Sequence, residues 1–286
     1  MLSLPSFSCS GQSTVRTFFS FILAAAVCQN ALAAKDVVPL EFINGIPFVN
    51  ISVGAAQARV MFDSGGRLGI SLPAATAEKS GSVKVLEEKQ RFQDLQGKVY
   101  EVPRIVAEKV VVGSTQLAPV KGQLHTQWGG APEGPEAELT KARAGGAIGL
   151  AAFSAFPLMF DYQQRTMSIL DDEEVAQLGQ PKWRALDLQF DGKGPVLTLV
   201  AEGKQLKFVL DTGAQVNGIR QGAACDTNQA CALRDLSGAL NLSTKVYRLK
   251  LDGAPFDGIL GAPFFRSHRV VFDVKAGKLY VAPISL

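Results

Sequence analysis

The chain has 286 residues, 47% of them apolar and 19% charged, which is material for one large globular domain or two compact lobes that fold without a metal. Its 29 basic and 26 acidic side chains leave a formal charge of +3. With no long run of Lys or Arg, that balance argues against a nucleic-acid partner.

The first segment reads as an address label. "TVRTFFSFILAAAVCQNALAAKD" carries one Arg, an apolar run from Phe18 to Val27, and the small-residue pattern Ala31-Leu32-Ala33. This predicts an export signal over residues 1–33, cut after Ala33, and hence a periplasmic or secreted protein. The run is shorter than the roughly 20 residues that span a bilayer, so a retained anchor is the second reading. Lipidation at Cys28 is weaker still, because Val27 lacks the small side chain expected before such a cut. No stable membrane insertion is expected once the signal is removed. Its removal takes Cys9 and Cys28 with it, and in an oxidising compartment Cys225 and Cys231 are predicted to close a small disulfide loop. With only His125 and His268 in the chain, neither a metal site nor a cofactor is expected.

Beyond the signal the chain repeats itself. "FVNISVGAAQARVMFDSGG" (Phe48 to Gly66) aligns with "VLTLVAEGKQLKFVLDTGA" (Val196 to Ala214) at an offset of 148 residues. Asp63 then falls on Asp211 and Gly65 on Gly213, while Val49, Ile51 and Val53, like Leu197 and Leu199, alternate as strands with one buried face. "KGQLHTQWGGAPEGPEAELTKARAGG" follows, rich in Gly, Pro and charge, and is expected to be a surface loop. Much of the first copy's extra length is placed there. Trp128 at its tip is a candidate substrate contact, although packing of the loop onto its own lobe would use it equally well. A second pair of landmarks comes next: Gly149 with Asp161 twelve residues later, and Gly261 with Asp273 twelve residues later. Between the copies, "DDEEVAQLGQPKWRAL" starts with acids that favour a short helix. The expected organisation is one lobe over 36–178 and another over 183–286, with the break near Gly179 to Lys182.

Each aspartate ends a strand of buried character, "ARVMFD" or "LKFVLD", where a lone carboxylate is costly unless partnered. Glycine two positions on lets the backbone turn closely, and Ser64 or Thr212 between them supplies a hydroxyl to tie one loop to the other. Pseudo-twofold packing would bring Asp63 and Asp211 together. Two such carboxylates share one proton and can activate a water held between them. A single Asp-Ser/Thr-Gly triplet is an ordinary turn; the weight lies in two copies with matched flanks.

On these motifs the sequence resembles the aspartic protease superfamily, and its short loops are similar to bacterial retropepsin-like proteins. The resemblance runs from about Phe42 to Pro283. It implies an all-β fold of two pseudo-twofold related, closed-barrel-like lobes of retropepsin type, and a monomer that forms an intramolecular pseudo-dimer. It implies that Asp63 and Asp211 are catalytic in an endopeptidase, with Ser64, Gly65, Thr212 and Gly213 building the active-site loops. Ile148-Gly149 and Leu260-Gly261 would brace those loops. A flap hairpin is implied as well, and "RFQDLQGKVYEVPRI" is its best source, with Gly97 at the turn and Phe92 or Tyr100 toward a peptide substrate. Tyr100 serves equally well as a half-buried strand residue. The first copy departs from the commoner motif in reading Asp-Ser-Gly-Gly, which predicts a looser loop. A weak or inactive peptide-binding or inhibitory module on the same scaffold is the alternative; the absence of a Gly-x-Ser-x-Gly stretch disfavours another hydrolase.

Overall fold

A computed structural model describes residues 36–93, 99–126, 136–178, 182–190, 194–225 and 230–284. The expected signal over 1–33, the lobe break at 179–181, Gly97, Trp128 and the side chain of Phe92 lie outside the described residues. Among the described residues no helix is long and apolar enough to cross a membrane.

The chain is mostly β and two-lobed, with one sheet nearly closed into a barrel. Among the described residues its strands form three sheets, of ten, eight and six strands. Both lobes begin with a hairpin whose inward alternation follows the apolar pattern: Ile46–Val53 on Ala56–Phe62, and Pro195–Ala201 on Lys204–Leu210. The second strand of each hairpin pairs in parallel with a short strand, Ala147–Ile148 or Gly258–Leu260. That short strand runs antiparallel to Ile70–Leu72 or Gly218–Arg220, which in turn pairs in parallel with Val120–Leu124 or Tyr247–Leu249. The repeat seen in the sequence is therefore a repeat of strand pairing.

The six-stranded sheet joins the lobes. Leu158–Asp161 of the first copy and His268–Asp273 of the second lie side by side at its centre, antiparallel, with Leu158 opposite Phe272, Met159 opposite Val271 and Phe160 opposite Val270. Because the landmark aspartates of these strands are 112 residues apart (273 − 161), Met159 and Val271 are equivalent and face each other. The pseudo-twofold axis passes through that pair. Asp36–Pro39 and Arg184–Asp187 close the two ends of the sheet. One face packs into a core continuous across both lobes, where the Phe160 and Phe272 rings meet edge to face at 5.9 Å. The other is covered by the connector, whose helix Asp172–Ala176 is capped by Asp171 and whose Leu170, Val175, Leu178 and Trp183 pack on Val271 and Ala282.

The surface-loop expectation for 121–146 needs correcting. Its start lies within the central strand Val120–Leu124, and its end contains the helix Glu136–Arg143, which buries Leu139 and Ala142 against Ile46, Phe48 and Met61. Most of the extra length lies earlier. Gly122 and Tyr247 hold equivalent places, paired with Ile70 and Gly218; 52 residues separate the first pair (122 − 70) and 29 the second (247 − 218). The earlier segment accommodates the helix Ala74–Ser80 and the long hairpin Val83–Gln93 with Val99–Ala107. Charged residues misled the reading, because a strand with one polar face and a helix resting on two small apolar contacts both look like loop over a short window.

Candidate active site

Asp63 and Asp211 leave equivalent strands and are held by equivalent bonds. The Asp63 N–H donates to the Ile148 carbonyl and the Asp211 N–H to the Leu260 carbonyl, each at 2.9 Å. The glycines that follow those carbonyls leave no space for a side chain: a Cβ on Gly149 would stand 2.9 Å from the Asp63 carbonyl oxygen, and one on Gly261 would stand 2.4 Å from that of Val216.

The two loops clasp each other through side chains of full burial. The Ser64 N–H donates to Thr212 Oγ1 and the Thr212 N–H to Ser64 Oγ, both at 2.9 Å. Each hydroxyl then donates onward, Ser64 to the Leu210 carbonyl at 2.8 Å and Thr212 to the Phe62 carbonyl at 2.7 Å. Both hydroxyls thus use one donor and one acceptor across the pseudo-dyad, with no buried polar group left over in the clasp.

Above the clasp the carboxyl groups converge on Gly213. Its N–H donates to Asp211 Oδ1 at 2.8 Å. An added Cβ there would lie 3.1 Å from Asp211 Oδ1 and 3.3 Å from Asp63 Oδ1, while one on Gly65 would strike Asp211 Cγ at 2.6 Å. Asp63 Oδ1 is buried with no hydrogen-bond partner among the described residues. A proton shared with Asp211 would supply one. Burial pushes the pKa values of both groups above the usual carboxylate range, and for Asp211 the neighbouring charge of Asp63 adds to it. The pair therefore retains a proton where separate aspartates would have lost theirs.

Two contributors escaped the sequence reading. Arg143, the last residue of the helix Glu136–Arg143, donates from Nη2 to the Gly213 carbonyl at 3.0 Å, reaching the opposite lobe. Asn217 is buried and accepts the Gly261 N–H at 2.8 Å, whereas the first lobe holds Gly149 by the backbone carbonyl of Gly69 at 2.9 Å. Asn217 had a readable signal, since it stands 148 residues after Gly69 and places an amide where the first copy has no side chain. Arg143 had none, because its partner is 70 residues away.

Val83–Gln93 and Val99–Ala107 form the hairpin expected as a flap, with Phe92 paired to Tyr100, and Tyr100 is half-buried on its strand. Cys225 and Cys231 are joined by a disulfide in the second lobe. Among the described residues no group of three or more His, Cys, Asp or Glu is arranged to hold a metal.

No family model and no curated protein sequence matches the chain. Among solved structures, the aspartic proteinase from Irpex lacteus is similar with a TM-score of 0.58, over 87% of this chain and 97% of that one, at 14% sequence identity. At that identity the likeness concerns the fold.

Proposed function

We propose that this chain is an exported aspartic-type endopeptidase in which Asp63 and Asp211 activate a water for attack on a peptide carbonyl. The observation that carries the reading is the paired site: two carboxylates converging on Gly213, set on reciprocally clasped loops in a protease-like scaffold. The ionised member takes a proton from the water while the protonated member donates to the carbonyl oxygen, giving a tetrahedral diol. Return of a proton to the leaving nitrogen breaks the C–N bond, and the pair ends in its starting state. Nothing covalent forms with the protein. Ser64 and Thr212 hold the loops, and Ile148-Gly149 with Leu260-Gly261 brace them. The long hairpin would offer backbone groups to an extended peptide, with alternate side chains entering pockets. The apolar leader and the disulfide support export to the periplasm or beyond.

The test is cleavage of a diverse peptide library by the mature chain from about pH 3 to 8, beside Asp211→Asn and a pepstatin-treated sample. The expected result is cleavage that the substitution lowers by at least roughly a thousandfold, about 4 kcal/mol of barrier. Equal cleavage by both proteins would overturn the reading, as would two inert proteins that bind the same peptides, which is the behaviour of a binding module.

A further inference from the structure

We propose that Arg143 is a positioning residue for the aspartate pair: anchored on the Gly213 carbonyl, its guanidinium brings from the first lobe a counter-charge to the anion the pair shares. The inference rests on the pair sharing one proton, as in the reading above, and it assigns a role to a residue outside the repeated motifs.

The geometry starts from the helix. Leu139 and Ala142 lock it onto Ile46, Phe48 and Met61. Gly145 and Gly146 then fit without room for a Cβ, which would fall 2.4 Å from the Arg59 carbonyl oxygen and 2.1 Å from that of Ser71. The chain passes at once into Ala147–Ile148, the strand that receives the Asp63 N–H. The segment that braces Asp63 therefore also aims Arg143 at Gly213, whose N–H binds Asp211 Oδ1. Arg143 is half-buried and its Nε is buried with no acceptor, so part of the guanidinium is withdrawn from water. The second copy has no counterpart. Six residues before Gly149 stands Arg143 (149 − 143), and six before Gly261 stands Pro255 (261 − 255).

Other charges lie on the same elements. Glu136, Glu138 and Lys141 share its helix, and Arg59 and Glu41, on the strands beneath, are paired with each other at 2.9 Å. Tyr162 is held neutral by burial and by the charge of Asp211, with Arg266 opposing. Against burial, which raises both aspartates, the positive charge of Arg143 acts downward on each.

The test titrates the pair by carboxyl carbon NMR in wild type, Arg143→Gln and Arg143→Lys, with the resonances assigned through Asn variants. Gln keeps a polar side chain and loses the charge; its upper midpoint should rise by about one pH unit, while Lys should hold the wild-type value. Both limbs of any cleavage profile should move the same way. An unmoved midpoint in Gln, or a rise in Lys as large as in Gln, overturns the proposal. Should Gln not fold, a rise of about one unit in Lys overturns it alone. The titration needs no substrate, so a shifted midpoint without cleavage would defeat the peptidase reading and leave this one standing.

Discussion

At the scale of residues, the pair of aspartates is a place where burial and charge work against stability. In the unfolded chain both carboxyls lose their protons near the ordinary value of 3.8, while in the folded chain burial raises both. The folded state therefore binds more protons between that value and its own raised one, and the slope of stability with pH is negative there. Stability is fullest below the unfolded value, falls as pH rises through the folded one, and levels off above it. Asp211→Asn removes one of the two ionising groups and leaves Asp63 to titrate with no second carboxylate to repel it. Urea unfolding at several pH values should show wild type losing stability across this window and the variant losing less, so that the variant is the more stable protein near neutrality. The clasp beneath explains how such a site is tolerated: Ser64 and Thr212 spend every hydrogen bond on the opposite loop, which fixes the carboxyls where they repel.

At the scale of elements, the loop between Cys225 and Cys231 is closed by a bridge six residues apart, with Cys231 buried at the start of the strand Ala230–Asp235. Replacing both by Ser should cost about 2 kcal/mol by the loop-closure argument, measured as a lower denaturant midpoint with an unchanged slope. An unchanged midpoint would mean that the strand is held by its neighbours alone. The elements also show what could be read in advance. Strands such as Ile46–Val53 and Pro195–Ala201 were legible because alternation is local, and their equivalence was legible because the offset of 148 is constant across them. The helix Glu136–Arg143 was not, since its burial rests on Leu139 and Ala142 within a polar sequence. Reciprocity between Ser64 and Thr212 was foreseeable from the two triplets. Arg143 on Gly213 depends on how two distant segments meet, which no local pattern encodes.

At the scale of the whole molecule, the six-stranded sheet makes the lobes one cooperative body. Phe160 packs on Phe62 at 4.8 Å in the first lobe and on Phe272 at 5.9 Å from the second, and all three are fully buried. Phe272→Ala should cost about 3 to 5 kcal/mol and still give a single unfolding transition, the same by fluorescence and circular dichroism. Two separated transitions would show that the halves fold independently. The axis through Met159 and Val271 has a consequence for inheritance. In an assembly of two identical chains every substitution is made twice, so a cation beside the pair would arrive as two charges for one shared anion. Joined in a single chain, the halves mutate one at a time. Serine in one loop can face threonine in the other, one half can lengthen its hairpin while the other acquires a disulfide, and Arg143 can stand opposite a proline.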